Sequence, residues 1–414
     1  MKTEIIQRIT QLNNGEIPNG YKKTEFGVFP CDWITDKKLK DLGVFGKGKG
    51  LPGDKMVSEG VPCIGYGDIY MKYNHFHFEE AKTFVDEETA AESQPIQKGT
   101  LLFTGTGETA EEIGKCVCYN GEETIYAGGD IITFLSNVVD PVFLAYQQYQ
   151  DFSLRKKASF GQGHSVVHIQ RDNLEKLNVA FPQSAEEQSK IAEILMKWDE
   201  AIELQEKFLF TLEAKRNAVL QSCFSKENCS NWIKLSDYVR EVSSRNNIGC
   251  QNVKSVSNKN GFIDQSSQFS KQVASEDVSK YKVVTKDCIA YNPSRINVGS
   301  IAIYNEDAPG IVSPMYVVFK CVNMNPKFLL LILETARGKH EVKSYLSGSV
   351  RNSLAFDDLK SIELVVPSKE KWEDIVGVFN IIDDQYALYS NKLDYMKKQR
   401  KTLQQYLLNG IVRV

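Results

Sequence analysis

An internal repeat limits most strongly how this chain can fold. The segment from Gly114 to Pro182 aligns without a gap with the segment from Gly299 to Pro367, 185 residues further along the chain. Aromatic, glycine, aliphatic and proline positions keep their type in both segments, as Tyr119 and Tyr304 illustrate. The 414 residues also exceed the roughly 250 to 300 that one hydrophobic core supports. The sequence therefore predicts two copies of one domain.

Each copy has the pattern of a mixed domain. Short apolar or alternating runs, bounded by Gly, Asn and Pro, are typical of strands. These runs are Ile125 to Leu135, Val283 to Tyr291, Ile301 to Tyr304 and Tyr316 to Cys321. In both copies a proline precedes apolar residues at three- and four-residue steps, which predicts a helix. The two predicted helices run from Phe143 to Arg155 and from Phe328 to Lys343. The expected fold class is α+β, with two homologous α/β domains.

A long segment rich in Glu, Lys, Gln, Leu and Ala follows each copy, and such a composition predicts a helix. Apolar residues in both segments alternate at steps of four and three, which is the seam of a coiled coil. The predicted seam residues are Ile191, Leu195, Trp198, Ile202, Leu209, Leu212 and Val219, and then Ile375, Phe379, Ile382, Tyr386, Leu393, Met396, Leu403 and Leu407. Each frame also holds one arginine, Arg216 or Arg400.

The two seams can cover each other within one chain. A pseudo-twofold arrangement would make the two coiled-coil helices antiparallel, with one repeat domain at each end. A helix of about 40 residues spans roughly 60 Å, so the pair would act as a spacer. The acidic pairs Asp199-Glu200 and Asp383-Asp384 beside the seams are interpreted as solvated helix faces.

The predicted domain division follows from the repeat. The first domain is expected to occupy 1–182, the first spacer helix 183–226, the second domain 227–367 and the second spacer helix 368–414.

Composition and motifs disfavour membrane proteins, secreted proteins and several enzyme classes. No run of 18 apolar residues appears and the start lacks a secretory signal, so the chain is expected in the cytoplasm, away from membranes. Nine cysteines without a Cys-x-x-Cys pair are interpreted as reduced thiols. Gly105-Thr-Gly107 lacks the ending of a phosphate-binding loop, and Asn292 to Arg295 lacks the second proline and the aromatic of amino-methyltransferases. His75 and His77 have no nearby carboxylate or cysteine to complete a metal site. No catalytic residue, metal site or cofactor is predicted in this chain.

Positively charged and polar loops are the candidate functional sites. Sequence-specific readers of duplex DNA need cations for phosphates and polar side chains on exposed loops to reach base edges. Such loops occur at equivalent places in both copies, and their polar tips differ, as one scaffold that reads different bases would require. The alternative interpretation of each loop is a solvated surface loop or a structural turn. The candidate DNA-binding residues are Lys47, Lys49, Thr104, Thr106, Lys156, Lys157, Gln162, His164, Ser165, Arg245, Asn246, Asn292, Ser294, Arg295, Asn297, Lys343, Ser349, Arg351 and Asn352.

Three segments carry a resemblance to a known family. The opening segment from Gly20 to Trp33, and the Phe181-Pro182 and Val366-Pro367 pairs with the Glu- and Gln-rich helices that follow, are similar to shared regions of type I restriction-modification specificity subunits. The resemblance covers essentially the whole chain and implies a non-catalytic protein. Each repeat domain would read one half of a bipartite double-stranded DNA target, and the helix pair would set the gap and dock two methyltransferase subunits.

The resemblance also implies where the chemistry of such a complex resides. S-adenosylmethionine would belong to the methyltransferase subunits, and ATP and magnesium to further restriction or motor subunits. A formal net charge of -3 is low for a DNA-binding protein, so we expect the isolated chain to bind DNA weakly until the methyltransferase subunits complete the clamp. The alternative is a coiled-coil scaffold that binds protein partners and does not read DNA.

Overall fold

The chain forms two units. The computed structural model describes residues 2–73, 76–163, 165–258, 261–265, 277–347 and 353–414. The first unit consists of Met1–Glu206 and Lys392–Val414, and the second consists of Lys207–Asn391.

The first unit is built from short strands and helices that precede a long helix. Its strands are β1 (Tyr21–Thr24), β2 (Gly27–Pro30), β3 (Trp33–Lys38), β4 (Gly43–Lys47), β5 (Met56–Val57), β6 (Val61–Ile64), β7 (His77–Phe78), β8 (Thr83–Val85), β9 (Gln94–Ile96), β10 (Thr100–Thr104), β11 (Thr106–Gly107), β12 (Cys116–Tyr119), β13 (Ile125–Ala127), β14 (Ile131–Ser136), β15 (Val167–His168) and β16 (Asn178–Pro182). Its helices are α1 (Lys2–Asn13), α2 (Tyr66–Met71), α3 (Glu87–Ala91), α4 (Pro141–Gln147), α5 (Asp151–Phe160) and α6 (Arg171–Leu174). The long helix α7 (Ala185–Cys223) begins in this unit and ends in the second.

The second unit repeats this plan with fewer strands in the described residues. Its strands are β17 (Asn231–Lys234), β18 (Val239–Glu241), β19 (Lys254–Ser257), β20 (Gly261–Asp264), β21 (Lys282–Val284), β22 (Cys288–Tyr291), β23 (Ile301–Ile303), β24 (Gly310–Val312), β25 (Val317–Cys321) and β26 (Glu363–Val366). Its helices are α8 (Pro326–Glu334), α9 (Ala336–Ser347) and α10 (Phe356–Ser361), and α11 (Trp372–Leu408) begins here and ends in the first unit. Among the described helices, none combines the length and the apolar character that crossing a bilayer requires.

The same sheet occurs in both units. Its strand order is β4-β14-β10-β12-β7 in the first unit and β18-β25-β22-β23 in the second. In each sheet the second strand pairs antiparallel with both of its neighbours. A separate antiparallel ladder also recurs, β16 with β3 and β26 with β17. The sequence repeat therefore corresponds to one mixed α/β scaffold folded twice.

Two predicted strands are each divided in the structure. Gly128 to Asp130 interrupt the run from Ile125 to Leu135, so β13 and β14 belong to different sheets. Asp287, with a φ of 67°, separates β21 from β22. Glycines and left-handed residues turn the chain out of the extended conformation, so a strand ends there. The prediction of one strand in each run was wrong, whereas the other two predicted strands are confirmed.

Each predicted helix after a proline is in fact two helices. Thr335 has an extended backbone, with ψ of 156°, which ends α8. Its Oγ1 accepts a hydrogen bond from the backbone N–H of Gly338 at 3.0 Å, which starts α9. In the first unit Gln150, with ψ of 146°, separates α4 from α5 in the same way. Apolar spacing continues across both breaks, which is why the sequence alone indicates a single helix.

The long helices α7 and α11 run antiparallel within each unit. Later residues of α7 contact earlier residues of α11. The contacting pairs are Asp199 with Arg400 and Glu206 with Lys397 in the first unit, and Phe208 with Tyr389 and Arg216 with Asp383 in the second. This order of contacts shows that α7 and α11 run in opposite directions in both units.

The predicted seam residues differ in burial. The buried ones are Ile191, Leu195, Ile202, Leu209, Leu212, Ile375, Phe379, Ile382 and Leu407. Trp198, Val219, Leu393, Met396 and Leu403 are half-buried. Tyr386 departs from the prediction, because 38% of the residue is exposed.

The interpretation of Asp199 and Asp383 as solvated was wrong. Arg400 donates hydrogen bonds to buried Asp199, from Nε at 2.8 Å and from Nη2 at 3.1 Å. Arg216 Nε donates to Oδ1 of Asp383 at 2.7 Å. Their acidic neighbours in sequence are exposed, as interpreted.

Candidate nucleic-acid interface

The loop after β4 presents two lysines on a fixed backbone. The backbone N–H of Gly48 donates to Ile131 O at 2.8 Å, and that of Lys49 donates to Ala127 O at 3.0 Å. A Cβ on Gly48 would lie 1.8 Å from the backbone O of Gly128, so only glycine permits this approach. The side chains of Lys47 and Lys49 are exposed on either side of this glycine. The loop can therefore offer two cations to a phosphate backbone at little cost in loop entropy.

Two loops that are distant in the first copy of the sequence come together. Thr106 in β11 pairs with His168 in β15, and their side chains approach to 3.2 Å between Oγ1 and Nδ1. Gln162 and His168 exchange both backbone hydrogen bonds, at 3.0 and 2.8 Å. Gln162, Ser165 and His168 are exposed, and Thr106 is half-buried. His164 lies outside the described residues.

His168 is a candidate that the sequence reasoning missed. The pairing of β11 with β15 and the bridge to Gln162 place this imidazole beside the two loops. The alternation of apolar and polar residues from Val167 to Gln170 is the signal that could have indicated a strand there.

The second unit has an equivalent meeting of loops. The backbone N–H of Leu354 donates to Pro293 O at 3.0 Å, just as that of Ile169 donates to Gly105 O at 3.0 Å in the first unit. Leu354 and Ile169 are 185 residues apart, so the repeat places the same loop junction in both units. Ser294, Arg295 and Asn297 are exposed at the second junction. Ser349, Arg351 and Asn352 lie outside the described residues.

Three further candidates with cationic side chains are exposed away from these junctions. Lys156 lies on α5, with Nζ 5.1 Å from the centre of the Phe160 ring. Arg245 forms an antiparallel bridge with Lys282. Lys343 lies near the end of α9. Each of these three residues is exposed, as the interpretation as a phosphate contact requires.

Four predicted DNA-binding residues are corrected by the structure, because their side chains are buried and bonded inside the protein. Thr104 Oγ1 lies 2.8 Å from Tyr70 OH. Asn246 Nδ2 donates to Cys250 O at 2.8 Å, and its Oδ1 accepts from the backbone N–H of the same residue at 2.9 Å. The other two are Asn292, whose Oδ1 caps the N–H of Ser294 at 3.1 Å, and Lys157. These side chains hold the loops rather than reach a duplex.

Lys157 is the most unusual of the four. It is 1% exposed, its Nζ donates to Gly114 O at 2.8 Å, and the amine lies 5.3 Å from the centre of the Tyr149 ring. Burial lowers the pKa of Lys157 to about 8. Gly114 has a φ of 67° and follows the loop that contains Thr106. Lys157 therefore ties the end of one candidate loop to the helix that precedes the other.

Comparison with known proteins indicates the class of protein to which this chain is similar. Residues 30–214 match a family model described as the type I restriction modification DNA specificity domain. Two curated relatives come from Methanocaldococcus jannaschii. The type I restriction enzyme MjaVIII specificity subunit is 22% identical over 77% of this chain and 80% of the relative. The putative type I restriction enzyme MjaX specificity subunit is 24% identical over 95% of this chain and 97% of the relative.

Solved structures share the fold. The crystal structure of the S subunit of a type I restriction-modification system from M. genitalium has a TM-score of 0.59 and 14% identity, and covers 95% of this chain and 97% of that one. A chain from a structure of complex assembly and conformational transition in the type I R-M system has a TM-score of 0.51 and 12% identity, with 96% and 100% covered.

The scaffold that is folded twice in this chain is shared with these solved structures. Residues 30–214 thus match the type I restriction modification DNA specificity domain, and most of the chain is similar to type I restriction enzyme specificity subunits, in agreement with the resemblance found in the sequence.

Proposed function

We propose that this chain is the DNA-sequence specificity subunit of a type I restriction-modification complex, with each unit reading one half of a bipartite duplex target. The observation that carries this proposal is the loop junction that recurs in both units, joined by equivalent hydrogen bonds of Ile169 and Leu354. The tips of equivalent loops differ, with Thr106 in the first unit and Ser294 and Arg295 in the second. One scaffold with two sets of tips is what a target with two different halves requires.

Lysine side chains and polar side chains have different roles in DNA binding. Lys47, Lys49, Lys156 and Lys343 supply phosphate contacts, which give affinity that falls with salt. The exposed polar side chains supply base contacts, and a good bidentate contact discriminates between bases by about 1 to 3 kcal/mol. The proposed base-contacting residues are Thr106, Gln162, His164, Ser165, Arg245, Ser294, Arg295, Asn297, Ser349, Arg351 and Asn352. Arg295 suits a guanine edge and Asn297 an adenine edge.

In this proposal the chain recognises the DNA target, and its partner subunits catalyse the reactions. We assign the spacer role to the helices of 183–226 and 368–414, and the reading role to 1–182 and 227–367. Two methyltransferase subunits with S-adenosylmethionine would dock on the helix pair, and restriction subunits with ATP and magnesium would join them. A net charge of -3 supports a chain that holds DNA firmly only within such a complex. A coiled-coil scaffold without DNA reading is not favoured, because the matching domain belongs to a family of DNA specificity proteins.

Methylome sequencing of the host, with and without the gene, tests the proposal. Loss of the gene should remove one bipartite methyladenine motif. Gln162→Ala should relax one half of the motif and leave the other intact, and Arg295→Ala should do the reverse. Unchanged methylation in a strain whose partner subunits are active would refute the specificity role.

A four-residue insertion tests the spacer role separately. Near Gln205 or Tyr389 the insertion adds about 6 Å of helix, so the gap should lengthen or recognition should fail while both half-sites stay the same. A changed half-site sequence would contradict the modular arrangement.

A further inference from the structure

A buried charged cluster joins both long helices to the first domain. Asp199 of α7 accepts two hydrogen bonds from Arg400 of α11 and a third from Tyr146 OH of α4, at 2.7 Å. Arg400 also donates to Gln404 Oε1 and lies 4.7 Å from the centre of the Phe76 ring. The side chains of Asp199 and Arg400 are 7% and 12% exposed. We name Tyr146, Asp199, Arg400 and Gln404 the first clasp.

The second unit contains the reciprocal cluster. Arg216 of α7 donates to Asp383 of α11 at 2.7 Å and to Glu334 of α8 at 2.8 Å, and Lys327 of α8 is hydrogen-bonded to the same aspartate. Burial alone would raise the pKa of Asp383, but the hydrogen bonds from Arg216 and Lys327 outweigh it, and this pKa lies below its ordinary value. Arg216 also lies 5.3 Å from the centre of the Phe379 ring. We name Arg216, Lys327, Glu334 and Asp383 the second clasp.

The two clasps exchange the roles of the helices. The α7 helix gives the aspartate to the first clasp and the arginine to the second, and α11 does the opposite. Asp199 and Asp383 are 184 residues apart, as are Arg216 and Arg400, so the four positions are equivalent in the repeat. Each clasp also reaches a short helix of its own domain. Both helices and one domain therefore meet at a single ion pair in each unit.

Only the observed register satisfies both clasps. A shift of α11 by one heptad along α7 would place Arg216 opposite Val376 or Ser390 instead of Asp383. The same shifts would place Arg400 opposite Ala192 or Glu206. An apolar seam tolerates heptad shifts, whereas a polar group in the seam selects one register. No one-heptad shift gives both arginines an aspartate.

We propose that the two clasps are specificity determinants that fix the position of each domain along the helix pair. They thereby restrict the complex to one gap length between its half-sites. This inference rests on the proposed function and deepens it. Removing one partner of a buried ion pair leaves an uncompensated charge and destabilises strongly, whereas replacing the whole pair with apolar residues is often neutral or stabilising. Stability and gap selection can therefore be separated.

The test compares wild type with an apolar variant of the first clasp, Tyr146→Phe, Asp199→Leu, Arg400→Met and Gln404→Leu. The full chain is assembled with its methyltransferase subunits and given duplexes that carry the wild-type half-sites with gaps up to two base pairs shorter or longer. Neighbouring base pairs are about 3.4 Å apart, so a displacement of this size of one domain along the helix pair changes the preferred gap by one base pair. The measured quantity is the methylation rate on the duplex with the native gap divided by the rate on duplexes with neighbouring gaps. We expect this ratio to fall about tenfold or more in the variant, the equivalent of 1.4 kcal/mol. Preference for the half-sites should stay the same, and the thermal unfolding temperature should be retained.

The second clasp provides a matched variant, Arg216→Met, Lys327→Met, Glu334→Gln and Asp383→Leu, for which the same loss of gap selection is expected. An unchanged gap ratio in a folded apolar variant would overturn the inference. Should that variant fail to fold, Asp199→Asn decides, because it keeps the hydrogen-bonding shape and removes the charge; an unchanged ratio there also overturns it. A wild-type complex that methylates all duplexes alike would instead refute the proposed function, so the two failures are distinguishable.

Discussion

Replacing Lys157 with methionine should change how the stability of the first unit depends on pH. The folded pKa is about 8 and the ordinary value is 10.5, so between these values the unfolded chain holds a proton that the folded chain has lost. The free energy of unfolding rises with pH wherever the unfolded state binds more protons. The full difference is worth about 3.4 kcal/mol, of which about 2 kcal/mol should appear between about pH 7.5 and 9.5. The methionine variant should lack this rise.

At neutral pH two effects of the substitution oppose each other. Methionine removes the cost of burying the ammonium, but it leaves Gly114 O without its donor, which costs about 1 to 3 kcal/mol. The difference between wild type and variant at one pH is therefore small, and its slope with pH is the informative quantity.

The assay is urea unfolding at several pH values, followed by tryptophan fluorescence. Trp33 and Trp198 belong to the first unit and Trp232 and Trp372 to the second, so both transitions are visible. Lys156→Met is the matched control, because it makes the same change at a neighbouring lysine that is exposed. A flat difference for the Lys157 variant, or a wild type that loses stability relative to it as the pH rises, would refute the reasoning.

Two further substitutions test side chains that hold loops and chain segments together. Arg413 donates to Asp32 and to buried Glu187, each at 2.8 Å, so Arg413→Ala should cost about 1 to 2 kcal/mol in the first unit, discounted for partial exposure and smaller at high salt; thermal unfolding in low and high salt checks this, and a salt-independent loss would contradict it. Asn246→Ala should cost about 1 to 3 kcal/mol in the second unit because it breaks both hydrogen bonds to Cys250. The exposed neighbour gives the control, since Asn247→Ala should stay within about 0.5 kcal/mol, and equal losses in urea unfolding would show that burial is not the cause.

Much of the scaffold could be predicted because the repeat shows its own period. The prolines that open α4 and α8 are 185 residues apart, and the sheets around them have the same order. The breaks within the predicted strands and helices were missed, because apolar residues continue across Gly128 and Thr335 and only the backbone conformation changes there.

The candidate site was harder to predict because residue type does not show which way a side chain points. Lys156 and Lys157 are adjacent in sequence, yet one is exposed and the other is buried against Tyr149. The residues next to Asp199 in the sequence indicate a solvated helix face, whereas its ion-pair partner, Arg400, lies 201 residues away along the chain. Long-range pairing decides both cases, and one sequence does not contain that information.

The exchange of charges between α7 and α11 constrains the evolution of this chain. Duplicated segments ordinarily diverge independently, but here each helix keeps an aspartate for one clasp and an arginine for the other. A substitution of Asp199 leaves the buried Arg400 of the opposite copy without its acceptor, and a substitution of Asp383 does the same to Arg216. We therefore expect the four clasp positions to change together, and not independently in each copy.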